Sequence, residues 1–132
     1  MPSLNYIAAL APSIEQGKKR CTIRAMRRRP IQIGHNLHHF TGLRTKYVRR
    51  LRKPDVCSVA VNVRMRWVTR GSYRSFELQM NGRKLSVSEI QDLAERDGFK
   101  ILKGPHQSAL EAFKAWFLPP GRDEFIGQYI EW

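Results

Sequence analysis

Lys19, Thr22 and Arg24 stand close together in the run Gly17-Lys18-Lys19-Arg20-Cys21-Thr22-Ile23-Arg24, and between them they hold the groups of a nucleophilic site. A threonine hydroxyl is a poor nucleophile at its free pKa and needs a neighbouring base. A lysine three residues away serves only as a neutral amine, a form that burial or nearby cations favour. Lys18, Arg20 and Arg24 supply those cations. Arg24 can hold a phosphate or an oxyanion, and Asp97 can donate a proton to a leaving amine or orient Lys19. Thr22 equally has the β-propensity of an ordinary strand residue, so the sequence leaves both roles open to it.

Asp97 is unusual for a local reason. It precedes Gly98 at the end of a helical pattern, where a carboxylate opposes the helix dipole at a cost of about 0.3 to 1 kcal/mol when exposed. A broken local rule of this kind marks a functional residue or a surface carboxylate paired with Arg96 or Lys100.

The charge surrounding these residues is concentrated. Of a net +13 in 132 residues, all lies between Lys18 and Lys53, where thirteen Lys and Arg occur without one Asp or Glu. Such a block is expected on the surface as a positive field that selects polyanions. Lys18, Arg20, Arg24, Arg27, Arg28, Arg29, Arg44, Lys46, Arg49 and Arg50 are the expected phosphate contacts. Tyr47, between Lys46 and Arg49, is the candidate for stacking on a base, whereas Phe40 reads as core. His35, His38 and His39 do not read as a metal site, since adjacent strand residues face opposite ways and no Cys or acid stands at ligand spacing. Trp67, Trp116 and Trp132 read as core or barrel-closing residues. No cofactor is implied.

Several elements must position these groups. Leu4 to Ile7 reads as a strand and Leu10 to Gln16 as a short helix closed by Gly17. Cys21 to Arg24 and Asn36 to Phe40 are further strands, separated by the charged loop at Arg27-Arg28-Arg29-Pro30. Val56 to Val68 alternates, with Val59, Val61, Val63 and Met65 on its apolar face. Asn81-Gly82 predicts a type I′ hairpin between Tyr73 to Met80 and Arg83 to Leu85. Ser86-x-x-Glu89 opens a helix with Val87, Ile90, Leu93 and Ala94 inward, and Ser108-x-x-Glu111 opens another with Leu110, Phe113 and Phe117 inward. Phe125 to Trp132 is a last strand. The order predicts one mixed α/β domain of the α+β class, a small and mostly antiparallel β-barrel flanked by helices.

The Gly17 to Arg24 run, followed by Gly34 and a strand, resembles the signature of the ASCH family, a branch of the PUA-like fold. The resemblance continues through Thr41-Gly42-Leu43-Arg44-Thr45, as in short bacterial and phage members, then Ala94-Glu95-Arg96-Asp97-Gly98-Phe99, Phe125-Ile126-Gly127 and Trp132. It implies a small β-barrel whose cleft holds RNA or a modified nucleotide. Some relatives are amidohydrolases that deacetylate N4-acetylcytidine, and another is reported as a ribonuclease. The amidohydrolase pattern falls here on Lys19, Thr22 and Asp97 as catalytic residues; the family's acid is Glu, so Asp97 is one methylene shorter.

The expected function is thus RNA or nucleotide binding, with DNA a possible partner. The alternatives are an amidohydrolase or ribonuclease and, from a different class, a phage or prophage protein whose basic face docks on a host factor. Length and a 42% hydrophobic composition suit a globular core. No apolar run approaches a membrane span, no leader pattern is visible, and Cys21 and Cys57 read as free thiols of a cytoplasmic protein.

Overall fold

Leu4 and Tyr6 are buried and Asn5 between them is exposed, the alternation of a strand with one face inward, and they form β1 (Ser3–Tyr6). The computed structural model describes residues 2–106 and 108–132. After β1 the expected helix is split into a 3₁₀ turn (Ala8–Leu10) and α1 (Ala11–Glu15). Pro12 lies in the first turn of α1, where its missing N–H leaves nothing unsatisfied. Then come β2 (Cys21–Ala25), β3 (Asn36–Thr41) and two-residue strands β4 (Arg49–Arg50) and β5 (Asp55–Val56). The long β6 (Val59–Arg70) buries Val63 and Met65 as its alternation predicts.

β7 (Tyr73–Met80) and β8 (Arg83–Lys84) are joined by Asn81 and Gly82 with φ of 54° and 80°, the two positive values of a type I′ turn. Helix α2 (Val87–Arg96) begins at a complete capping box between Ser86 and Glu89. Its Ile90, Leu93 and Ala94 are buried, but Val87 is 70% exposed. The entire first turn, 86–89, projects beyond the core. A short helix α3 (Phe99–Leu102), not expected, follows Gly98. At α4 (Ala109–Phe117) the Ser108 hydroxyl accepts from the Glu111 N–H, one half of a capping box. The chain closes with β9 (Glu124–Glu131).

Five strands form an antiparallel sheet in the order β2-β9-β6-β7-β8. The last strand therefore occupies the interior of the sheet. A second sheet is built on β3, which pairs parallel with β1 and antiparallel with β4 and β5. The fold is mixed α+β, and among the described residues no ladder closes the two sheets into a barrel. One apolar cluster lies between the five-stranded sheet and α2 to α4 around Met65, Leu78 and Phe113. A second joins β1, α1 and β3 around Leu4, Ile14 and Leu37, and it includes Trp132.

Two aromatic expectations need correction. Phe40 is only half-buried and lies under the Arg50 guanidinium, 5.6 Å from its ring centre. Trp67, half-buried under Arg74 at 4.5 Å, does pack against the first cluster beside Phe76. Trp116 is 55% exposed, because Phe113 and Phe117 occupy the inward face of α4.

Candidate nucleotide cleft

Lys19 leaves the surface where its charge-rich neighbours remain. The Lys18 and Lys19 N–H groups both donate to the Ser13 carbonyl, forming a turn after α1. The Lys19 ammonium then donates to the Asp97 carboxylate at 2.6 Å, to the Asp97 carbonyl at 2.9 Å and to the Cys21 carbonyl. An ammonium has three protons, and all three are matched. Lys19 and Asp97 are 3% and 6% exposed. The expectation that the whole basic block lies on the surface is thus wrong at Lys19, since a buried carboxylate offers it a stronger partner than the other cations offer it repulsion.

Asp97 is the residue that caps the end of α2, and Gly98, left-handed with φ of 98°, breaks the chain away before α3. A Cβ at Gly98 would stand 2.7 Å from Leu10 Cδ2. Close contact between the 3₁₀ turn and the helix end thus accompanies the meeting of Lys19 and Asp97. The surface cations have other partners: Arg96 pairs with Asp92 and Lys100 with Glu95. Burial pushes the Asp97 carboxyl up, against the opposing pull of Lys19, Arg24 and Arg96.

Thr22 and Arg24 are two apart on β2 and share a face. Arg24 Nε donates to Thr22 Oγ1 at 3.1 Å, and the guanidinium lies 4.9 Å above the Tyr6 ring centre. Burial lowers the Arg24 pKa. Because Thr22 accepts from Arg24, its own O–H remains available to donate outward. Lys19, Thr22, Arg24 and Asp97 line one cleft of about 120 Å³ together with Asn5, Tyr6, Ile7, Phe99, Trp116 and Phe117. A cavity of roughly 150 Å³ takes a benzene ring, so this slightly smaller, open cleft has room for no more than a single ring.

Tyr6 is held from behind by residues that sequence reading did not assemble. Its hydroxyl lies 3.0 Å from His39 Nδ1, and His39 Nε2 lies 2.9 Å from Asp55 Oδ2. Asp55 also accepts from Arg52. A carboxylate at Nε2 requires the proton there, so Nδ1 accepts the Tyr6 hydroxyl proton. Burial lowers the His39 pKa against the opposing effect of Asp55. The predicted opposite orientations of His38 and His39 were the only sequence signal of this arrangement. Among the described residues no group of three His, Cys, Asp or Glu gathers as metal ligands.

Two basic segments are bonded to β1. Arg27 donates to the Ser3 carbonyl at 2.8 Å, with Arg28 and Arg29 exposed beside it. Leu43 N–H donates to Asn5 Oδ1 at 2.9 Å, which ties the segment bearing Arg44, Lys46 and Tyr47 to a residue of the cleft wall. Arg44, Lys46, Tyr47 and Arg50 are exposed, and Arg49 pairs with Glu15. Lys18 and Arg20 lie at a separate shallow depression with Arg96 and Glu131. Arg20 Nε donates to the Trp132 carbonyl.

The chain matches no family model, no curated protein and no solved structure. Among the described residues no helix is long and apolar enough to cross a membrane. Cys21 and Cys57 are both free and buried.

Proposed function

We propose that this chain is an ASCH-like module of PUA-like barrel ancestry that binds RNA or a modified nucleotide, with one base in the Lys19/Thr22/Arg24/Asp97 cleft. The observation that carries the reading is the half-buried Arg24 guanidinium, held between Thr22 and Tyr6 in a single-ring cleft. Its remaining N–H groups and the Thr22 hydroxyl present donors to an acceptor edge. The exposed Trp116 ring at the same cleft supplies a π face. The exposed cations beside β1 supply phosphate contacts.

A binding role suits the pairing better than an activated lysine does. All three Lys19 protons are engaged, and the partner of Thr22 is Arg24, a donor that accepts no proton. Tryptophan fluorescence of wild type, compared with Trp116→Phe to isolate that ring's share and titrated with ribonucleotides over a range of salt, tests the reading. Quenching with log affinity falling linearly in log salt is expected, at about 0.7 per phosphate neutralised. A flat salt response would contradict it.

One observation favours the amidohydrolase as a second reading: Lys19, Thr22 and Asp97 do line one cleft. The raised Asp97 carboxyl offers a place for a Lys19 proton, which would leave an amine to accept the Thr22 proton. N4-acetylcytidine incubated with wild type and Thr22→Ala decides this. Release of cytidine by wild type alone establishes the hydrolase; no release by either removes that substrate.

A further inference from the structure

The segment between β3 and β4 is far more ordered than a solvated run of charge requires. Thr45 N–H and Oγ1 both donate to the Gly42 carbonyl, Tyr47 N–H donates to Thr45 Oγ1, and Val48 N–H donates to the Thr45 carbonyl. Gly42 has φ of 65°, and a Cβ there would stand 2.8 Å from the Tyr47 carbonyl oxygen. Arg44 is also left-handed, with φ of 68°. A non-glycine residue in that region is strained, and arginine lacks the short polar side chain that eases it for Asn or Asp. Strain held by a hydrogen-bonded loop is a reason to ask what the loop presents.

It presents Arg44, Lys46 and Tyr47. Tyr47 is 74% exposed, although an aromatic ring gains by burial. The Lys46 ammonium lies 5.2 Å from its ring centre, which leaves the ring area beyond that contact open to solvent. The loop is not remote from the cleft. Leu43 bonds to Asn5, Thr41 Oγ1 donates to the Tyr6 carbonyl, and both Asn5 and Tyr6 line the cleft wall. β4, which follows the loop, lies two strand spacings from β1, about 10 Å.

We propose that the 42–48 loop is a second nucleotide subsite, so that the cleft takes one residue of a single-stranded RNA whose neighbouring base stacks on Tyr47 and whose phosphates meet Arg44 and Lys46. The inference rests on the nucleotide-binding reading of the cleft and adds the class of ligand: an oligonucleotide rather than a free nucleotide. The loop's internal bonds hold the backbone that carries the ring and both cations before binding, which reduces the ordering that a flexible basic tail would undergo. Stacking tolerates any base, so the second subsite adds affinity without reading sequence.

The test compares fluorescein-labelled tetraribonucleotides of mixed sequence, followed by anisotropy, with ribonucleoside monophosphates, followed by competition against them. The tetranucleotide is expected to bind at least tenfold more tightly than any monophosphate. Tyr47→Ala should reduce that ratio by about fivefold or more. Gly42→Ala, which retains every cation but cannot keep the loop's backbone, should reduce it in the same direction. A large ratio that neither variant alters overturns the second subsite and leaves the cleft reading standing. Equal affinity for monophosphate and tetranucleotide overturns it as well, since the cleft then takes free nucleotides. Failure of both ligands to bind removes the nucleotide reading itself and the second subsite with it.

Discussion

The Lys19 ammonium and the Asp97 carboxylate, 78 residues apart in sequence, meet at 2.6 Å with both side chains almost wholly withdrawn from water. Desolvation of each charge is offset by the other, by the two carbonyls that complete the lysine's bonds and, for Asp97, by the nearby Arg24 and Arg96. The pair ties the segment after α1 to the end of α2, and so shapes the floor of the cleft.

Removing one partner leaves the other buried and alone. Lys19→Met and Asp97→Leu should each destabilise the fold by about 3–5 kcal/mol, and the double variant by much less than the sum. Urea unfolding of the four proteins in a double-mutant cycle measures this. Additive losses would show that the two charges do not depend on one another.

Gly98→Ala should destabilise by more than the usual glycine-to-alanine effect. The residue has φ of 98°, and the new Cβ would meet Leu10 Cδ2 at 2.7 Å. A loss of about 1–3 kcal/mol in the urea midpoint analysis is expected, from backbone strain together with overpacking. An alanine variant as stable as wild type would contradict the close approach of the 3₁₀ turn to the helix end.

His39 makes stability fall on mild acidification. Its pKa is lowered from the ordinary 6.5 in the folded state, so the unfolded chain takes up the proton first as pH falls. The contribution is present above 6.5 and is lost as pH falls through the lower folded value. Unfolding free energies between pH 7.5 and about pH 5 should decline for wild type more steeply than for His39→Gln, which keeps a polar side chain but does not titrate. Parallel profiles would remove His39 as the cause.

Arg24→Lys should weaken nucleotide binding about tenfold or more, although the charge is kept. A guanidinium stacks on the Tyr6 ring while Nε bonds Thr22, and an ammonium has neither the plane nor the fork. Isothermal titration with a tetraribonucleotide reads the change. Unaltered affinity would place the ligand elsewhere.

Arg28→Ala and Arg29→Ala should each reduce the salt dependence of RNA affinity by about 0.7 in the log–log slope if that side chain neutralises one phosphate. Both side chains are exposed beside Arg27, which is tied to Ser3. Binding measured from low to physiological salt tests each one separately. An unchanged slope would exclude that arginine from the interface.

Rules that act over a few residues were legible in the sequence. Asn81-Gly82 forms its hairpin because few other residue pairs accept two positive φ values. Ser86 and Glu89 start α2 because each satisfies an N–H that the other's backbone leaves free. Gly98 ends the helix, and the alternation in β6 buries Val63 and Met65. The same short-range reasoning marked Asp97 as a carboxylate at the unfavourable end of a helix dipole.

What local pattern leaves open is the partner, because charge, aromaticity and hydrogen-bonding capacity are spent only where the chain brings two distant segments together. The surface pairing expected for Asp97 is replaced by Lys19, and Lys19 lies buried inside a block whose composition placed it in solvent. Trp116 turns outward to the cleft rim because two phenylalanines take the inward face of α4. Tyr6, His39 and Asp55 belong to three different strands and form a hydrogen-bonded series only once β1 and β5 both pair with β3. The amino-acid order alone determined most of the longer strands and helices and the types of group available, while the short α3, β4 and β5 formed only with packing. Tertiary packing decided which were desolvated, and desolvation is what distinguishes a site from a charged surface.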